Sequence, residues 1–518
     1  MKQITLALIS ILCAAHTFSQ GKPFTITNGP EIDGGRSYVH EVVGSLPSGT
    51  IICRVQKKST FLEIVNDQGV VSKSVDLSDL KYNEFDKHYV GAFILNDQLF
   101  VRFSANEKRK KILHTIIEKF DVKTLTSTGV ISEEEIDNEG KKSVYWYGIG
   151  VGRAMSELGE NGFQVSEGEK YAIEYSSDFE KSTNTNENIS IKVFDAEMKT
   201  VWDKEFEIPY PNKLFQISKV IVDDFGNAHL LGREYLDDTR KRSGKPNYKT
   251  HIISFLSNGT SVKDNKLDLD GSFITDVTIG VTADEKILAA GFYSSLSSFS
   301  IDGAFSIKLD LKSQRIESTN KKAFDKEFIQ QGMTEREVKK SNKKEAKGND
   351  LEMPNFDLDK LLTTSDGGWV LLAEQFYITT STYTTSGPNG TMQTRTVTVY
   401  NYDDIIAVRM NPTGEILWNT KITKHQASSG ATSMLSYAFG ACDETLYIVY
   451  NTSPNQGNAV VVSIIKSDGS ITKETAMTVD KGDLLFHPLY SDWITNCKML
   501  LYSAKRKEYQ FSIMKMKP

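Results

Sequence analysis

The sequence predicts an all-β protein, an eight-bladed β-propeller, from one short repeat, a second repeat that alternates with it, and an incomplete last unit. The clearest copy of the first repeat is residues 405–422, where apolar and polar residues alternate on both sides of Asn411-Pro412-Thr413-Gly414. Alternation around a tight turn whose glycine tolerates positive φ is typical of a β-hairpin. The same pattern recurs in residues 61–77, 116–131, 189–208, 252–269, 305–324 and 460–477.

A different hairpin precedes each copy: a strand, a turn rich in Asp, Asn and Gly, and a strongly apolar strand. Its copies are residues 42–56, 90–105, 162–177, 218–235, 275–294, 360–377, 437–453 and 487–505. The two hairpins together make a four-stranded unit of roughly 40 to 50 residues, which is the repeat of a propeller blade. One such sheet cannot bury both faces alone, so we expect the blades to stack around an axis.

The last unit supplies only three strands, because residues 487–505 are followed by residues 510–516 before the sequence ends. Residues 22–32 have the pattern of a strand and precede the first complete blade. We therefore predict that this N-terminal strand completes the C-terminal blade. Seven blades is the alternative, if one of the units is not a blade.

The repeats cover nearly all of the 518 residues, so we predict one propeller domain over residues 20–518. Residues 1–19 combine Lys2 with a short apolar run and small residues near a plausible cleavage point, which predicts a secretory signal peptide. An uncleaved anchor is the alternative. No later segment has the apolar length of a transmembrane helix. We expect an exported protein, periplasmic or extracellular.

The net charge of −6 lacks the basic footprint of a nucleic-acid-binding protein, so we exclude nucleic acid as a partner. Cys53, Cys442 and Cys497 follow the predicted signal peptide at spacings that match no zinc or redox motif. Cys442 and Cys497 fall near the turns of equivalent hairpins in neighbouring blades, so a disulfide is one interpretation. We favour small buried thiols.

Loop length differs between the two ends of the predicted blades. Turns inside the hairpins are short, whereas the other connections carry insertions at residues 133–161, 325–357 and 378–404. The second insertion has a charged helical pattern with a capping box at Thr334 and Glu337, and the third predicts a projecting β-hairpin. Loops on a rigid scaffold often carry function, so this asymmetry favours the long-loop face as the functional face.

Nine residues of that face are candidates for contact with a ligand or partner. Residues 145–147 are consecutive aromatics beside glycines, which predicts a stacking platform or, as the alternative, a loop plug over the blade ends. The basic run at Arg240 and Arg242 predicts an anion-binding loop or a solvated charged loop. The tyrosines along the hairpin predict a partner surface or cross-strand packing. The candidates are Tyr145, Trp146, Tyr147, Arg240, Arg242, Tyr377, Tyr383, Tyr400 and Tyr402.

The sequence contains no G-x-S-x-G elbow, H-E-x-x-H pair, phosphate-binding loop or dinucleotide fingerprint. No two histidines lie at metal-ligand spacing, and the adjacent Asp pairs fall at turns, where Asp forms local hydrogen bonds. We therefore predict no catalytic residue and no metal site. The predicted function is a non-enzymatic propeller that binds an envelope or extracellular protein, or scaffolds an envelope complex. A glycan-binding module or carbohydrate-active enzyme that uses the central pocket is the alternative.

The segment from Asn411 to Trp418 resembles the blade motif of quinoprotein-like eight-bladed propellers, in which a docking Trp follows the turn glycine. The resemblance implies that Trp418 and, more loosely, Trp202 dock on a neighbouring blade. Quinone enzymes of that kind repeat the Trp in most blades, and here only these two residues match. We therefore predict no cofactor.

Overall fold

The computed structural model describes residues 22–137, 162–177, 185–237, 241–242, 245–282, 284, 286–296, 299–347, 351–354, 356–386, 392–430, 432–452, 459–480 and 483–518. Regular structure in these residues is almost entirely antiparallel β-sheet. Eight sheets of four to six strands follow one another along the chain, together with one two-stranded ribbon. The prediction of an all-β protein is confirmed.

Two short strands precede the sheets, β1 (Phe24–Asn28) and β2 (Ile32–Asp33). Sheet 1 contains β3 (Ser37–Leu46), β4 (Gly49–Gln56), β5 (Ser59–Val65) and β6 (Val71–Asp76). Sheet 2 contains β7 (Lys81–Tyr82), β8 (Phe85–Leu95), β9 (Gln98–Glu107), β10 (Ile112–Phe120) and β11 (Ser127–Asp137). Sheet 3 contains β12 (Phe163–Val165), β13 (Tyr171–Ser177), β14 (Asn186–Asp195) and β15 (Thr200–Pro211).

Sheet 4 contains β16 (Phe215–Val222), β17 (Ala228–Tyr235), β20 (Tyr248–Leu256) and β21 (Ser261–Leu267), and the ribbon β18 (Lys241–Arg242) and β19 (Lys245–Pro246) lies between β17 and β20 in the chain. Sheet 5 contains β22 (Phe273–Val281), β23 (Lys286–Ser294), β24 (Gly303–Asp310) and β25 (Ile316–Ala323). Sheet 6 contains β26 (Asp357–Thr363), β27 (Trp369–Ser386), β28 (Met392–Met410), β29 (Ile416–Ile422) and β30 (Gln426–Ser428).

Sheet 7 contains β31 (Ala438–Cys442), β32 (Thr445–Asn451), β33 (Ala459–Ile465) and β34 (Ile471–Thr478). Sheet 8 contains β1 and β2 with β35 (Leu485–Phe486), β36 (Asp492–Thr495), β37 (Lys498–Lys505) and β38 (Glu508–Met516). Short 3-10 helices lie at Asn212–Leu214 and Pro488–Tyr490. The middle strands of each sheet are the most apolar, because both of their faces are buried.

Hydrophobic clusters lie between consecutive sheets and hold them together. Leu372 of sheet 6 packs with Phe439 of sheet 7, for example, and Val39 of sheet 1 packs with Phe511 of sheet 8. Because the last sheet contacts the first, the row of sheets closes into a ring, and the predicted β-propeller is confirmed. The blade number stays a prediction, with which the eight clusters of the described residues agree.

The N-terminal strand completes the C-terminal sheet, as predicted. β1 pairs antiparallel with β38, with Phe24 opposite Met516 and Asn28 opposite Ser512. Phe24 is buried in the cluster between sheets 7 and 8, and the Ser512 hydroxyl donates to Asn28 Oδ1 at 2.9 Å. The outermost strand of sheet 8 therefore comes from the opposite end of the sequence.

The connection between sheets 5 and 6 contains helices α1 (Lys326–Gln330) and α2 (Glu335–Glu345). The predicted capping box is present: the Thr334 N–H donates to Glu337 Oε2 at 2.8 Å, and the Glu337 N–H donates to Thr334 Oγ1 at 3.4 Å. α1 was not predicted, because five residues are too few to show a helical period. Within the described residues no helix is long and apolar enough to cross a membrane.

The other two insertions differ from each other. β27 and β28 continue beyond their sheet as a long hairpin, as predicted for residues 378–404. The insertion predicted at residues 133–161 begins later, because β11 continues to Asp137 and pairs Glu135 with His114. The acidic run is therefore an outer strand of sheet 2, and residues 138–161 lie outside the described residues.

Cys442 and Cys497 form a disulfide, with their Cα atoms 4.1 Å apart. The bond joins the end of β31 to the turn before β37, where the Cys497 N–H donates to the Ala441 carbonyl at 2.8 Å. Our preference for two buried thiols was wrong, because hydrogen-bonded turns of sheets 7 and 8 bring the two side chains together. Cys53 is a buried free thiol.

Both tryptophans named from the blade motif dock on the next sheet. Trp418 Nε1 donates to the Ser467 carbonyl at 2.7 Å, and Trp202 Nε1 donates to the Gly226 carbonyl at 2.8 Å. The Trp418 ring covers Gly469, where an added Cβ would lie 2.9 Å from ring atoms. Gly469 also has a φ of 82°, which favours glycine.

The Gly469→Ala variant is expected to lose about 1–3 kcal/mol of its free energy of unfolding, because alanine is strained at positive φ and its methyl group displaces the Trp418 ring. The measurement is urea unfolding followed by fluorescence. Gly430→Ala is the matched control, since an added Cβ there meets only Ser428 Oγ at 3.9 Å. Equal losses in the two variants would contradict the docking role of Trp418.

Candidate functional site

Four carboxylates come together on the first strand of sheet 5 and the first two strands of sheet 6, at the end from which the long connections leave. They are Asp276 of β22, Asp357 and Asp359 of β26, and Glu374 of β27, where Asp357 and Glu374 lie opposite each other in register. We call these four residues the inner carboxylate cluster. β22 and β26 are the first strands of their sheets and contact each other, so the cluster lies toward the centre of the ring.

A β-bulge lies beside the aspartates of both inner strands and sets their directions. One register shift follows Ile274 in β22 and another follows Leu358 in β26. A bulge adds a residue to one strand and re-aims its neighbours. Asp359 accepts a hydrogen bond from the Tyr437 hydroxyl of sheet 7 at 2.6 Å, whereas Asp276 accepts from the Leu358 N–H at 3.3 Å.

Two cationic side chains offset part of this negative charge. Arg233 Nη2 donates to Asp276 Oδ1 at 2.6 Å, and Lys424 Nζ lies 2.6 Å from Glu374 Oε1. The Ser436 hydroxyl donates to the other oxygen of Glu374, also at 2.6 Å. Four carboxylates thus face two cations, which leaves an excess of negative charge when all four are ionised.

The pKa of Asp357 reflects both its burial and this negative charge. Its burial, followed by the charges of Asp276 and Glu374, raises the pKa of Asp357 to about 6. A positive charge placed nearby favours the ionised form of a carboxyl group and would remove its proton. The charge of Asp357 therefore depends on what binds beside it.

The Tyr402 hydroxyl is buried beside the cluster without a partner. Tyr402 is 1% exposed, and its hydroxyl has no hydrogen-bond partner among the described residues. Burial, and then the charges of Glu374, Asp359 and Asp357, raise the pKa of Tyr402. Buried hydroxyl groups normally have a partner, so the Tyr402 hydroxyl leaves a hydrogen bond unmade beside the carboxylates.

Among the candidates whose side chains the structure describes, only Tyr402 lies in this cluster, where its ring also packs on Phe376 at a centroid distance of 4.8 Å. The other hairpin tyrosines lie farther along β27 and β28. Tyr377 is 38% exposed and its hydroxyl donates to Asp403 Oδ2 at 2.9 Å. Tyr383 is 45% exposed, and Tyr400 is half-buried opposite Ile378.

The side chains of the remaining five candidates lie outside the described residues. Tyr145, Trp146, Tyr147 and Arg240 lie outside the described residues, and only the backbone of Arg242, in β18, is described. The hypotheses of an aromatic platform and an anion-binding loop stay predictions.

Sequence reasoning missed the inner carboxylates. A signal was present in the Asp-Leu-Asp segment at the start of β26, since two acids bracket an apolar residue in a strand predicted to be largely buried. Their meeting with Asp276 and Glu374 depends on which strands become neighbours and on the bulges, and neither is visible in the local pattern.

Similarity to known proteins is confined to solved structures. No family model and no curated protein matches the chain. Among solved structures, prolyl oligopeptidase B from Galerina marginata matches with a TM-score of 0.41 and 8% identity, over 94% of this chain and 56% of that chain. Acylaminoacyl peptidase from Pyrococcus horikoshii matches with a TM-score of 0.36 and 8% identity, over 85% of this chain and 54% of that chain.

The β-propeller domain of the Trilobed protease from Pyrococcus furiosus matches with a TM-score of 0.32 and 11% identity, over 84% of this chain and 96% of that domain. The chain is a β-propeller. It spans about half the length of the prolyl oligopeptidase and acylaminoacyl peptidase chains that it matches.

These findings correct the predicted function. We expected a non-enzymatic propeller that binds a partner or scaffolds an envelope complex, and that prediction was wrong, since these solved structures are peptidases or belong to a protease. The aromatic run at Tyr145, Trp146 and Tyr147, on which the glycan-binding alternative depended, lies outside the described residues.

Proposed function

We propose that this chain is a protease-associated propeller whose inner carboxylate cluster receives the positively charged group of a peptide. The proposal rests on the excess of carboxylates over cations on the inner strands, beside the unpaired Tyr402 hydroxyl. An ammonium group supplies three donors, so it can bond carboxylate oxygens and the Tyr402 oxygen together. Peptides are the first ligands to test because the solved structures of similar fold carry the names of peptidases.

Binding of a cation at this site depends on the ionisation of Asp357. With a pKa of about 6, Asp357 is neutral well below that pH and charged well above it. An added positive charge interacts more favourably with the charged form, so affinity is expected to rise as the pH passes through 6. Folding raises this pKa, and the ionised carboxylate therefore costs stability above pH 6. Removing its charge should leave the fold intact.

The test compares an N-acetylated, C-amidated tripeptide that contains lysine with its norleucine isostere, by titration calorimetry at pH 5 and pH 8. At pH 8 the lysine peptide is expected to bind at least about tenfold more tightly than the norleucine peptide. A tenfold difference corresponds to a charge interaction of about 1.4 kcal/mol. At pH 5 the difference should shrink. Asp357→Asn should remove most of the preference at pH 8 and flatten the pH profile.

Asp97→Asn is the matched control, because Asp97 is an exposed aspartate in the short turn between β8 and β9, at the other end of the sheets. It should bind both peptides as the parent does. Equal affinity of the parent protein for the two peptides, or an unchanged preference in Asp357→Asn, would refute the proposed role of the cluster.

We also propose that the chain is exported and works in the periplasm or outside the cell. The disulfide between Cys442 and Cys497 supports this, since such bonds persist mainly in oxidising compartments. Fractionation of cells that produce the full chain, with detection in each fraction, tests the proposal. A protein found with its thiols reduced in the cytoplasm would refute it.

A further inference from the structure

The imidazole of His114 is buried in sheet 2 without a hydrogen bond. His114 lies on β10 and is 4% exposed, and neither of its ring nitrogens has a hydrogen-bond partner among the described residues. The rings of Tyr82 and Phe85 lie next to it, at centroid distances of 5.1 and 6.3 Å. Two unpaired nitrogens in a buried imidazole are costly, so this side chain calls for a partner that the described residues do not supply.

Two carboxylates approach one of these nitrogens from the outermost strand. Glu135 lies opposite His114 in the register of β10 and β11, and Glu133 is two residues earlier on the same face of β11. Glu133 Oε1 is 3.7 Å and Glu135 Oε1 is 3.9 Å from His114 Nδ1. These distances are too long for hydrogen bonds but close to the separation of ligand atoms that share one ion.

The geometry fits a metal ion with one nitrogen and two oxygen ligands. Potential ligand atoms of His114, Glu133 and Glu135 all lie within 4.8 Å of one another. Bonds of about 2.0–2.2 Å to a tetrahedral ion place two ligand atoms about 3.4 Å apart, so the distances of 3.7 and 3.9 Å from His114 Nδ1 to the two carboxylates need to shorten by only a few tenths of an ångström. Both glutamates reach solvent, with side-chain exposures of 36% and 64%, so an ion can enter.

The second ring nitrogen faces a third carboxylate. His114 Nε2 is 3.7 Å from Glu107 Oε2, at the end of β9. A histidine that binds a metal through one nitrogen usually directs its other N–H to a carboxylate, which fixes the tautomer and strengthens the ligand. Glu107 is suited to this positioning role, and the Tyr82 hydroxyl orients Glu133 by donating to its Oε1.

We propose that His114, Glu133 and Glu135 form a binding site for a divalent first-row transition metal, with Zn²⁺ as the best-fitting probe and a position open to water. The imidazole favours such an ion over Ca²⁺ and Mg²⁺, which prefer oxygen ligands alone. This site lies in sheet 2, whereas the inner carboxylate cluster lies in sheets 5 and 6. The metal proposal therefore does not depend on the peptide proposal. The sequence does not reveal this metal site, because its ligands come from two adjacent strands, β10 and β11, and the spacing of histidines along the chain does not show that pairing.

The test is calorimetric titration of the EDTA-treated full chain with ZnCl₂ alone, with CaCl₂ as the comparison. We expect one Zn²⁺ per chain and at least tenfold weaker binding of Ca²⁺. The double variant Glu133→Gln with Glu135→Gln should lose at least 100-fold in Zn²⁺ affinity while it stays folded, because both side chains are exposed. Glu107→Gln should lose about tenfold, as expected for a residue that acts through the histidine.

Glu205→Gln with Glu207→Gln is the matched control, since these exposed glutamates are also two residues apart on an outermost strand, β15, and pair with Ser190 and Asn188 instead of a histidine. This control should bind Zn²⁺ as the parent does. The proposal is overturned by an EDTA-treated chain that takes up no Zn²⁺ stoichiometrically, by Ca²⁺ binding as tight as Zn²⁺ binding, or by equal losses in the two double variants.

Discussion

The Glu63→Gln variant is expected to lose about 3–5 kcal/mol of its free energy of unfolding, the cost of leaving a buried charge without its partner. Glu63 of β5 is 1% exposed and binds Arg54 of β4 through both oxygens, at 2.9 and 2.7 Å. The Arg54 guanidinium lies between the rings of Phe61 and Tyr509, 4.6 and 5.0 Å from their centroids. Because Tyr509 belongs to sheet 8, the pair lies where the first and last sheets meet.

The control for this prediction replaces both partners. Arg54→Met with Glu63→Leu removes the two charges together, and such replacements of a buried ion pair are often neutral or stabilising. Urea unfolding of the parent, the single variant and the double variant distinguishes the two outcomes. A single variant as stable as the parent would show that water reaches the pair, in conflict with its burial.

Replacing both Cys442 and Cys497 by serine is expected to cost about 4 kcal/mol, the loop-closure term for a bridge between residues 55 apart in sequence. The disulfide ties sheet 7 to sheet 8 at the side of the ring where the N-terminal strand is added. The same two turns exchange hydrogen bonds between Asp443 and Asn496, at 3.0 and 3.1 Å, so the fold should persist at lower stability.

A reducing agent provides the control for the disulfide. Dithiothreitol should lower the stability of the parent protein to that of the double serine variant and should leave the variant unchanged. The measurement is the unfolding midpoint in urea with and without the agent. A parent protein whose midpoint does not change after its thiols have been shown to be free would contradict the prediction.

The repeat was predictable because each hairpin carries its own signal. Alternating residues around Asn411-Pro412-Thr413-Gly414 define two strands and a turn locally, and accordingly β28 ends at Met410 and β29 covers Ile416–Ile422. The capping box at Thr334 and Glu337 is local in the same sense. The closing strand was predictable for a different reason, since a last unit with three strands needs a fourth and residues 22–32 were unassigned.

The site was not predictable, because it depends on neighbours that are far apart in sequence. Asp276 and Asp357 are on different sheets, and a bulge at Leu358 decides where Asp359 points. His114 and Glu135 meet only through the register of β10 and β11. The disulfide is similar, since the sequence placed Cys442 and Cys497 at equivalent turns but did not give the distance between them.

The position of β1 also sets a delay in biogenesis. Asn28 bonds to Ser512 across 484 residues of sequence, so β1 finds its partner only after those residues have been synthesised. At about 5–20 residues per second, the wait is roughly 25–100 s. Throughout that interval the nascent polypeptide carries a strand with unpaired edges, which is a target for chaperones and a hazard for aggregation. The ring can close only once β38 has been synthesised.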